Sequence, residues 1–358
     1  MRKLSVLVLM AFFASTLVYA CSDFVIKAKD KSVVVGRSME FPIDLKSEVV
    51  VAPRGQQFNV VNKKGTKGES WTSKYGYFGI NAFNLADTYV EGLNEKGLAF
   101  DGLMFTGAEY QPATPGNFVP LDKFCAWTMG NFASVDEVKE ALKKTNIAAS
   151  EMDKIKSMGM HVAVHDATGK NIVIEFIGGK TFVYDNPLGV MTNRPSFDWQ
   201  MNNLRNYINL DSHDKNPKMI NGVKIEPTGV GNGMLGMPGD WTPPSRFVRM
   251  ALAIDAALPP KNAAEAFNLV EHILNIVDIP KGVIKESTPV PFMEIYGIAQ
   301  WAIAKDLTNK VLYYKTYENT AWKSVDLNKF DLTPGAPKRS IAIDDKTNSI
   351  IDVSGQLQ

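Results

Sequence analysis

Beyond residue 20 the chain sets short apolar runs between charged or glycine-bearing turns, which predicts β-strands. Val33-Val34-Val35, Val49-Val50-Val51 and Tyr77-Phe78-Gly79-Ile80 are such runs, and Asn94-Glu95-Lys96-Gly97 is a turn between two more. Ser134 with Glu137 three residues on makes a capping box, and Val135, Val138 and Leu142 then recur at helical spacing. His161-Val162-Ala163-Val164 and Ile172-Val173-Ile174-Glu175 flank Asp166-Ala167-Thr168-Gly169, the layout of a hairpin. Helices are expected at Phe197 to Tyr207, Ser245 to Leu258 and Ala263 to Val277. Asp211 to Thr228 reads as a long polar loop, Gly229 to Gly239 as a glycine-rich one, and strands return at Ile295 to Ile303 and Lys310 to Lys315. Strands first, helices in the middle and strands last predict an α+β fold. No repeat, low-complexity tract or clear linker divides residues 21–358, so a single domain is expected.

The first twenty residues follow another pattern. Arg2 and Lys3 precede an almost wholly apolar stretch from Leu4 to Leu17, and Val18-Tyr19-Ala20 brings residues suited to a cleavage point. This is the layout of a secretory signal. The stretch is too short, and too soon followed by Asp23, Lys27 and Lys29, for a membrane span. Residues 1–20 are therefore expected to be removed, leaving a secreted or periplasmic protein that starts at Cys21. Removing Arg2 and Lys3 from a chain of formal net charge +1 leaves it near neutrality. Such a balance carries no electrostatic footprint for nucleic acid or for an anionic membrane.

Only two cysteines occur, Cys21 and Cys125. Exported proteins usually pair them, and a disulfide between these two is one reading. The other is a free thiol at the first position of the mature chain. A terminal cysteine carries thiol and α-amine on one residue. The amine, with an ordinary pKa of roughly 7.7–8.0, takes the proton of a thiol that ionises at about 8.5. Nucleophile and base are then joined by covalent geometry, and no histidine is required. A third reading competes: Leu17-Val18-Tyr19-Ala20-Cys21 is loosely similar to a lipobox, and lipidation would block the amine of a non-catalytic binding module. Bulky Tyr19 fits that recognition poorly.

The residues that follow add a more specific pattern. Cys21-Ser22-Asp23-Phe24, Gly36-Arg37-Ser38-Met39-Glu40-Phe41, Val51-Ala52-Pro53-Arg54-Gly55 and Gly92-Leu93-Asn94-Glu95-Lys96-Gly97-Leu98 come first. His165-Asp166-Ala167-Thr168-Gly169, Gly189-Val190-Met191-Thr192-Asn193-Arg194-Pro195 and Asn203-Leu204-Arg205-Asn206-Tyr207 come next. Gly236-Met237-Pro238-Gly239-Asp240 and Ser245-Arg246-Phe247-Val248-Arg249 complete the series. In this order, across nearly all of residues 21–358, these motifs resemble the choloylglycine hydrolase family, which includes penicillin V acylases and bile salt hydrolases. The resemblance implies an αββα sandwich of two mainly antiparallel sheets between helix layers. It also implies hydrolysis of a linear, non-peptide amide of a small molecule.

On the same resemblance Cys21 is the nucleophile, and Arg37, Glu40, Asn193 and Arg246 complete the catalytic set. An arginine beside a thiol favours thiolate, and the Asn193 amide is suited to an oxyanion. Two positions depart from the family pattern. Glu40 stands where the relatives carry Asp, which keeps the carboxylate but lengthens it by one methylene. Met104 stands where bile salt hydrolases carry asparagine and some penicillin V acylases tyrosine, so only its backbone N–H is left to serve the oxyanion hole. That departure points toward penicillin V-like or acyl homoserine lactone substrates, ahead of bile salts. No cofactor or metal is expected, and the Asp211 to Thr228 segment, where the family carries an assembly loop, implies a homotetramer or homodimer.

Other signals carry less. Gly231-Asn232-Gly233-Met234-Leu235-Gly236 matches a dinucleotide-binding pattern but lacks a preceding strand, and Pro238, Pro243 and Pro244 follow it. His161 and His165 share a strand face without a cysteine or third histidine to complete a metal set, so packing or hydrogen bonding is expected of them. No G-x-S-x-G elbow is present. Cys125, in an apolar stretch, is expected to be an inert core thiol.

Overall fold

The computed structural model describes residues 20–152, 155, 158–287, 294–344, 351 and 353–356. The expected leader, apart from Ala20, lies outside them. Two antiparallel sheets dominate. The first is assembled from β1 (Ser22–Lys27), β2 (Val33–Glu40), β10 (Val190–Thr192), β11 (Ala299–Asp306), β12 (Val311–Thr316) and β13 (Lys323–Asp326), in the order β10-β1-β2-β11-β12-β13. The second contains β3 (Glu48–Ala52), β4 (Tyr77–Asn81), β5 (Tyr89–Asn94), β6 (Ala99–Met104), β7 (Met160–His165), β8 (Asn171–Ile177), β9 (Lys180–Asp185) and β14 (Arg339–Ala342). Its order is β9-β8-β7-β6-β5-β4-β3-β14. β1, β2, β6, β7 and β8 are buried on both faces, so apolar stretches such as Val33-Val34-Val35 and Ile172-Val173-Ile174 run on without alternation, and the polar residues among them are buried too.

Each sheet has a helix layer on its outer side. α4 (Pro243–Ala256) and α5 (Ala263–Asn275) pack on β1, β2 and β10, and α1 (Leu121–Asn131) packs on β5. The fold is thus the αββα sandwich of the α+β class. One core cluster joins Phe24, Val35 and Ile303 of the first sheet to Leu93, Leu103 and Ala163 of the second. Another lies beneath α1 and α2 (Val135–Leu142).

Local chemistry explains most boundaries. Ser134 accepts from the Glu137 N–H, as the capping box requires. Pro243 and Pro244 do not block a helix but open α4, since the first turn needs no N–H from them. The expected helix at 197–207 ends as α3 (Phe197–Leu204) plus one 3₁₀ turn, and the strand expected at Ile295 to Ile303 is split into a short strand, Glu294–Tyr296, and β11 from Ala299. Two elements correct the sequence reading. α1 was not anticipated, because ten of its eleven residues are buried and no polar stripe marks its period. The supposed polar loop contains a hairpin, Lys218–Ile220 with Val223–Ile225, turned by Asn221 and Gly222, both at positive φ.

Candidate active site

The sheet register explains how distant motifs meet. β1 pairs with β2 through Asp23 opposite Arg37, and with β10 through Ser22 opposite Thr192. Extending both ladders by one residue sets Cys21 between Met39 and Asn193. Its Sγ lies 3.9 Å from Met39 Sδ and 3.8 Å from the Glu40 carbonyl oxygen. Alternation then divides the neighbours. Cys21, Asp23, Arg37 and Met39 face the second sheet, whereas Ser22 and Glu40 project to the reverse face, toward α4.

Arg246, in the first turn of α4 and fully buried, gathers the segment ends. Its Nη1 donates to the Cys21 carbonyl at 2.6 Å and to Ser22 Oγ at 2.7 Å. Its Nη2 donates to Asn193 Oδ1 at 3.0 Å, and its Nε to the Trp241 carbonyl at 3.0 Å. Asn193 Nδ2 in turn donates to the Met104 carbonyl at 2.8 Å. One of the two amide protons is thereby committed, leaving the other N–H for an oxyanion. Arg37 comes from the other face: Nη2 donates to the Gly102 carbonyl at 2.8 Å, and Nη1 pairs with Glu91 Oε1 at 2.5 Å.

The electrostatics differ from the simple expectation for a cysteine beside an arginine. Burial pushes the Cys21 thiol up, and this outweighs the opposing pull of Arg37, the largest of the lowering influences. Burial also pushes the Glu40 carboxyl up to about 7, against the lowering effects of Arg246, Ser38 and Arg37. Both Glu40 oxygens are buried without a well-formed hydrogen bond; the Ser38 hydroxyl is near enough to favour the charge but not positioned to donate. In this chain the Cys21 nitrogen is still an amide bonded to Ala20, which is itself buried. A carboxylate without a donor is costly in such surroundings, and a cation beside it would remove that cost.

A buried charge network behind the site was missed. Glu91 accepts from Trp301 Nε1 at 2.8 Å as well as pairing with Arg37. Lys305 pairs with Asp101, and His165 bonds Asp23 at 2.9 Å and Asn171 at 3.1 Å. Asp23, Asp101 and His165 bring potential metal-ligating atoms within 4.8 Å of one another, but Lys305 already pairs with Asp101 there. Although burial opposes it, the Asp23 carboxylate holds the His165 ring above the ordinary histidine range. Three acidic side chains (Asp23, Glu91, Asp101) thus meet Arg37, Lys305 and His165. The signal was present as Asp101 and Lys305 at inward positions of apolar strands. His161 bonds Glu175 at 3.2 Å, so both histidines are hydrogen-bonding residues.

The disulfide reading is corrected: Cys21 and Cys125 are both free. They belong to different core clusters, and burial pushes the Cys125 thiol far up. Cys21 opens on an apolar cavity walled by Met39, Phe41, Phe83, Met104, Met158 and Met160. Its free space is narrow, about 40 Å³. Four of the side chains that line it are methionines, unbranched and well able to adjust to an acyl group. Among the described residues no helix is long and apolar enough to cross a membrane.

Residues 21–352 match the family described as linear amide C–N hydrolases, choloylglycine hydrolase family. A bile salt hydrolase/transferase of Clostridium perfringens is 34% identical over 319 residues, 87% of this chain and 94% of that protein. A solved variant of the conjugated bile acid hydrolase from Clostridium perfringens superposes with a TM-score of 0.81 at 33% identity, covering 93% of this chain and all of that one. The penicillin V acylase of Agrobacterium tumefaciens shares the fold, with a TM-score of 0.73 at 23% identity over 89% of this chain and 90% of its own.

Proposed function

The chain belongs to the choloylglycine hydrolase family of linear amide C–N hydrolases, and from that premise we propose that it is an exported acylase whose nucleophile is Cys21, freed as the N-terminal residue by cleavage after Ala20. The α-amine takes the thiol proton and the sulfur attacks the amide carbonyl, forming a C–S bond as the carbonyl π electrons move to oxygen. The free Asn193 N–H and the Met104 backbone N–H stabilise that oxyanion. Collapse breaks the C–N bond, and the ammonium returns its proton to the leaving amine. Water then attacks the acyl-thioester, giving the acid and restoring the thiol. Arg37 opposes the burial penalty on the thiolate, Arg246 ties Cys21 to Asn193, and Glu40 holds the ammonium.

The observation that carries this reading is Glu40: a buried carboxylate without a donor, on the reverse face of the Cys21 strand pair. An α-ammonium at Cys21 supplies a charged donor there, and lipidation of the amine would remove that charge. The methionine-walled cavity supports a slender apolar acyl group, as in penicillin V or an acyl homoserine lactone, ahead of a rigid steroid. Intact mass and N-terminal sequencing of the exported protein test the first claim: a free Cys21 is expected, and a lipidated or longer terminus defeats it. Cys21→Ser should lose most acylase activity, because oxygen ionises far less readily than sulfur. A chain retaining Ala20 should be inactive until trimmed.

A further inference from the structure

We infer that Asp122 sets acyl-group specificity: at the wall of the Cys21 cavity it selects acyl groups bearing a neutral hydroxyl at the end remote from the amide. The inference rests on the reading of Cys21 as the nucleophile toward an acyl amide. Asp122 lines the same cavity as Cys21, and its side chain is 8% exposed. The other polar side chains on this wall are committed. The Tyr89 hydroxyl donates to Asp87 Oδ1 at 3.1 Å, and the Thr88 hydroxyl donates to the Ala86 carbonyl at 3.3 Å. Among the described residues Asp122 has one charged neighbour, Lys123, whose Nζ is 3.8 Å away. That distance exceeds a hydrogen bond, and the ammonium turns instead to the carbonyls of Ala86 at 3.3 Å and Asp87 at 3.2 Å. An uncommitted acidic side chain therefore borders a mainly apolar cavity, the arrangement by which such pockets orient ligands.

Asp122 also occupies the first turn of α1, where the helix dipole favours a negative charge. That role alone would explain an acidic residue, but it does not call for one on a cavity wall. The same residue also borders a neighbouring, wider cavity of about 670 Å³ lined by Val60, Phe118 and Ala148. Asp122 thus stands between the wider cavity and the apolar space beside Cys21. A terminal carboxylate on the acyl group would be repelled there. A terminal ammonium would have to shed its water to pass the methionines. A hydroxyl satisfies the acceptor at the smallest desolvation cost.

The experiment compares straight-chain acyl 4-nitroanilides of six to twelve carbons ending in methyl, hydroxyl or ammonium. Their kcat/KM values are measured with the mature enzyme, and their affinities with the mature Cys21→Ala protein by calorimetry. At the chain length that spans the cavity, hydroxyl should exceed methyl by about ten- to a hundredfold, the range for a hydrogen bond to a charged group. Asp122→Leu should reverse the order and Asp122→Asn should shrink it, whereas Lys123→Gln should keep it. Methyl preferred at every length, ammonium preferred at any, or a hydroxyl preference surviving Asp122→Leu overturns the inference. Because the affinity ratio is read without turnover, it decides the role of Asp122 even if the anilides are not hydrolysed. That second failure would count against the nucleophile reading alone.

Discussion

Glu91 holds Arg37 at 2.5 Å with both side chains out of water, so the cation nearest in influence to the Cys21 thiol is fixed from the opposite sheet. The pairing joins β5 to β2 across the core. Trp301, on β11 beside β2, completes it by donating to the same Glu91 oxygen. A motif in the first forty residues therefore depends on a carboxylate that its own sequence neighbourhood does not contain.

Truncating Glu91 should be severe. Glu91→Ala leaves the Arg37 charge buried and unpaired, a situation that costs about 3–5 kcal/mol, and denaturant unfolding should register the loss. Glu91→Gln keeps an acceptor for Trp301 Nε1 and should be milder. Equal stability of Glu91→Ala and wild type would show that Arg37 finds another partner.

Asp101 and Lys305 should behave as a pair. Asp101→Asn or Lys305→Met alone strands one buried charge in the network, whereas the double variant removes both. The double variant should be more stable than the sum of the single losses predicts, with a coupling of roughly 0.5–3 kcal/mol. Strict additivity in a denaturation cycle would mean that the two side chains do not interact in the folded protein.

Much of this was legible in the sequence, and for different reasons. Cys21, Arg37, Asn193 and Arg246 were found through motifs whose order survives separation along the chain. The register then explains their meeting, because Cys21 lies between the strand carrying Arg37 and the strand leading to Asn193. The Glu91–Arg37 and Asp101–Lys305 pairs were not legible, since each links residues on different sheets and no local periodicity encodes such a partner. α1 escaped because a helix buried all round has no amphipathic signature. Cys21 shows the limit of reasoning from pairs: Arg37 alone suggests a thiolate, and burial reverses the outcome.

The hairpin at 218–225 bears on assembly. It leaves Met219, Ile220, Val223 and Ile225 exposed, an arrangement soluble proteins usually cover. Static light scattering at micromolar concentration should give a dimer or tetramer. Met219→Lys combined with Val223→Lys should shift it toward monomer while the circular dichroism spectrum stays unchanged. A wild-type monomer under these conditions would end the proposal that this segment joins copies of the chain.

Glu40 ties stability, processing and activity together. With Ala20 attached, its carboxyl is raised from 4.5 to about 7. Between those values the folded state holds a proton that the unfolded chain has released. Stability from this group is therefore full below pH 4.5 and lost as pH rises through 7, by about 3 kcal/mol. Denaturant unfolding of the uncleaved protein should show this fall, and Glu40→Gln should abolish it. In the mature enzyme the new α-ammonium should stabilise the carboxylate and move the fall to lower pH. Activity should follow the charge. Glu40→Asp, which keeps it, should be tolerated. Glu40→Gln should lower kcat/KM on a chromogenic acyl amide by roughly ten- to a hundredfold, as for loss of a charge-assisted hydrogen bond. Unchanged kcat/KM in Glu40→Gln, with the pH dependence of stability also unchanged, would remove Glu40 from the mechanism and require another group to orient the amine.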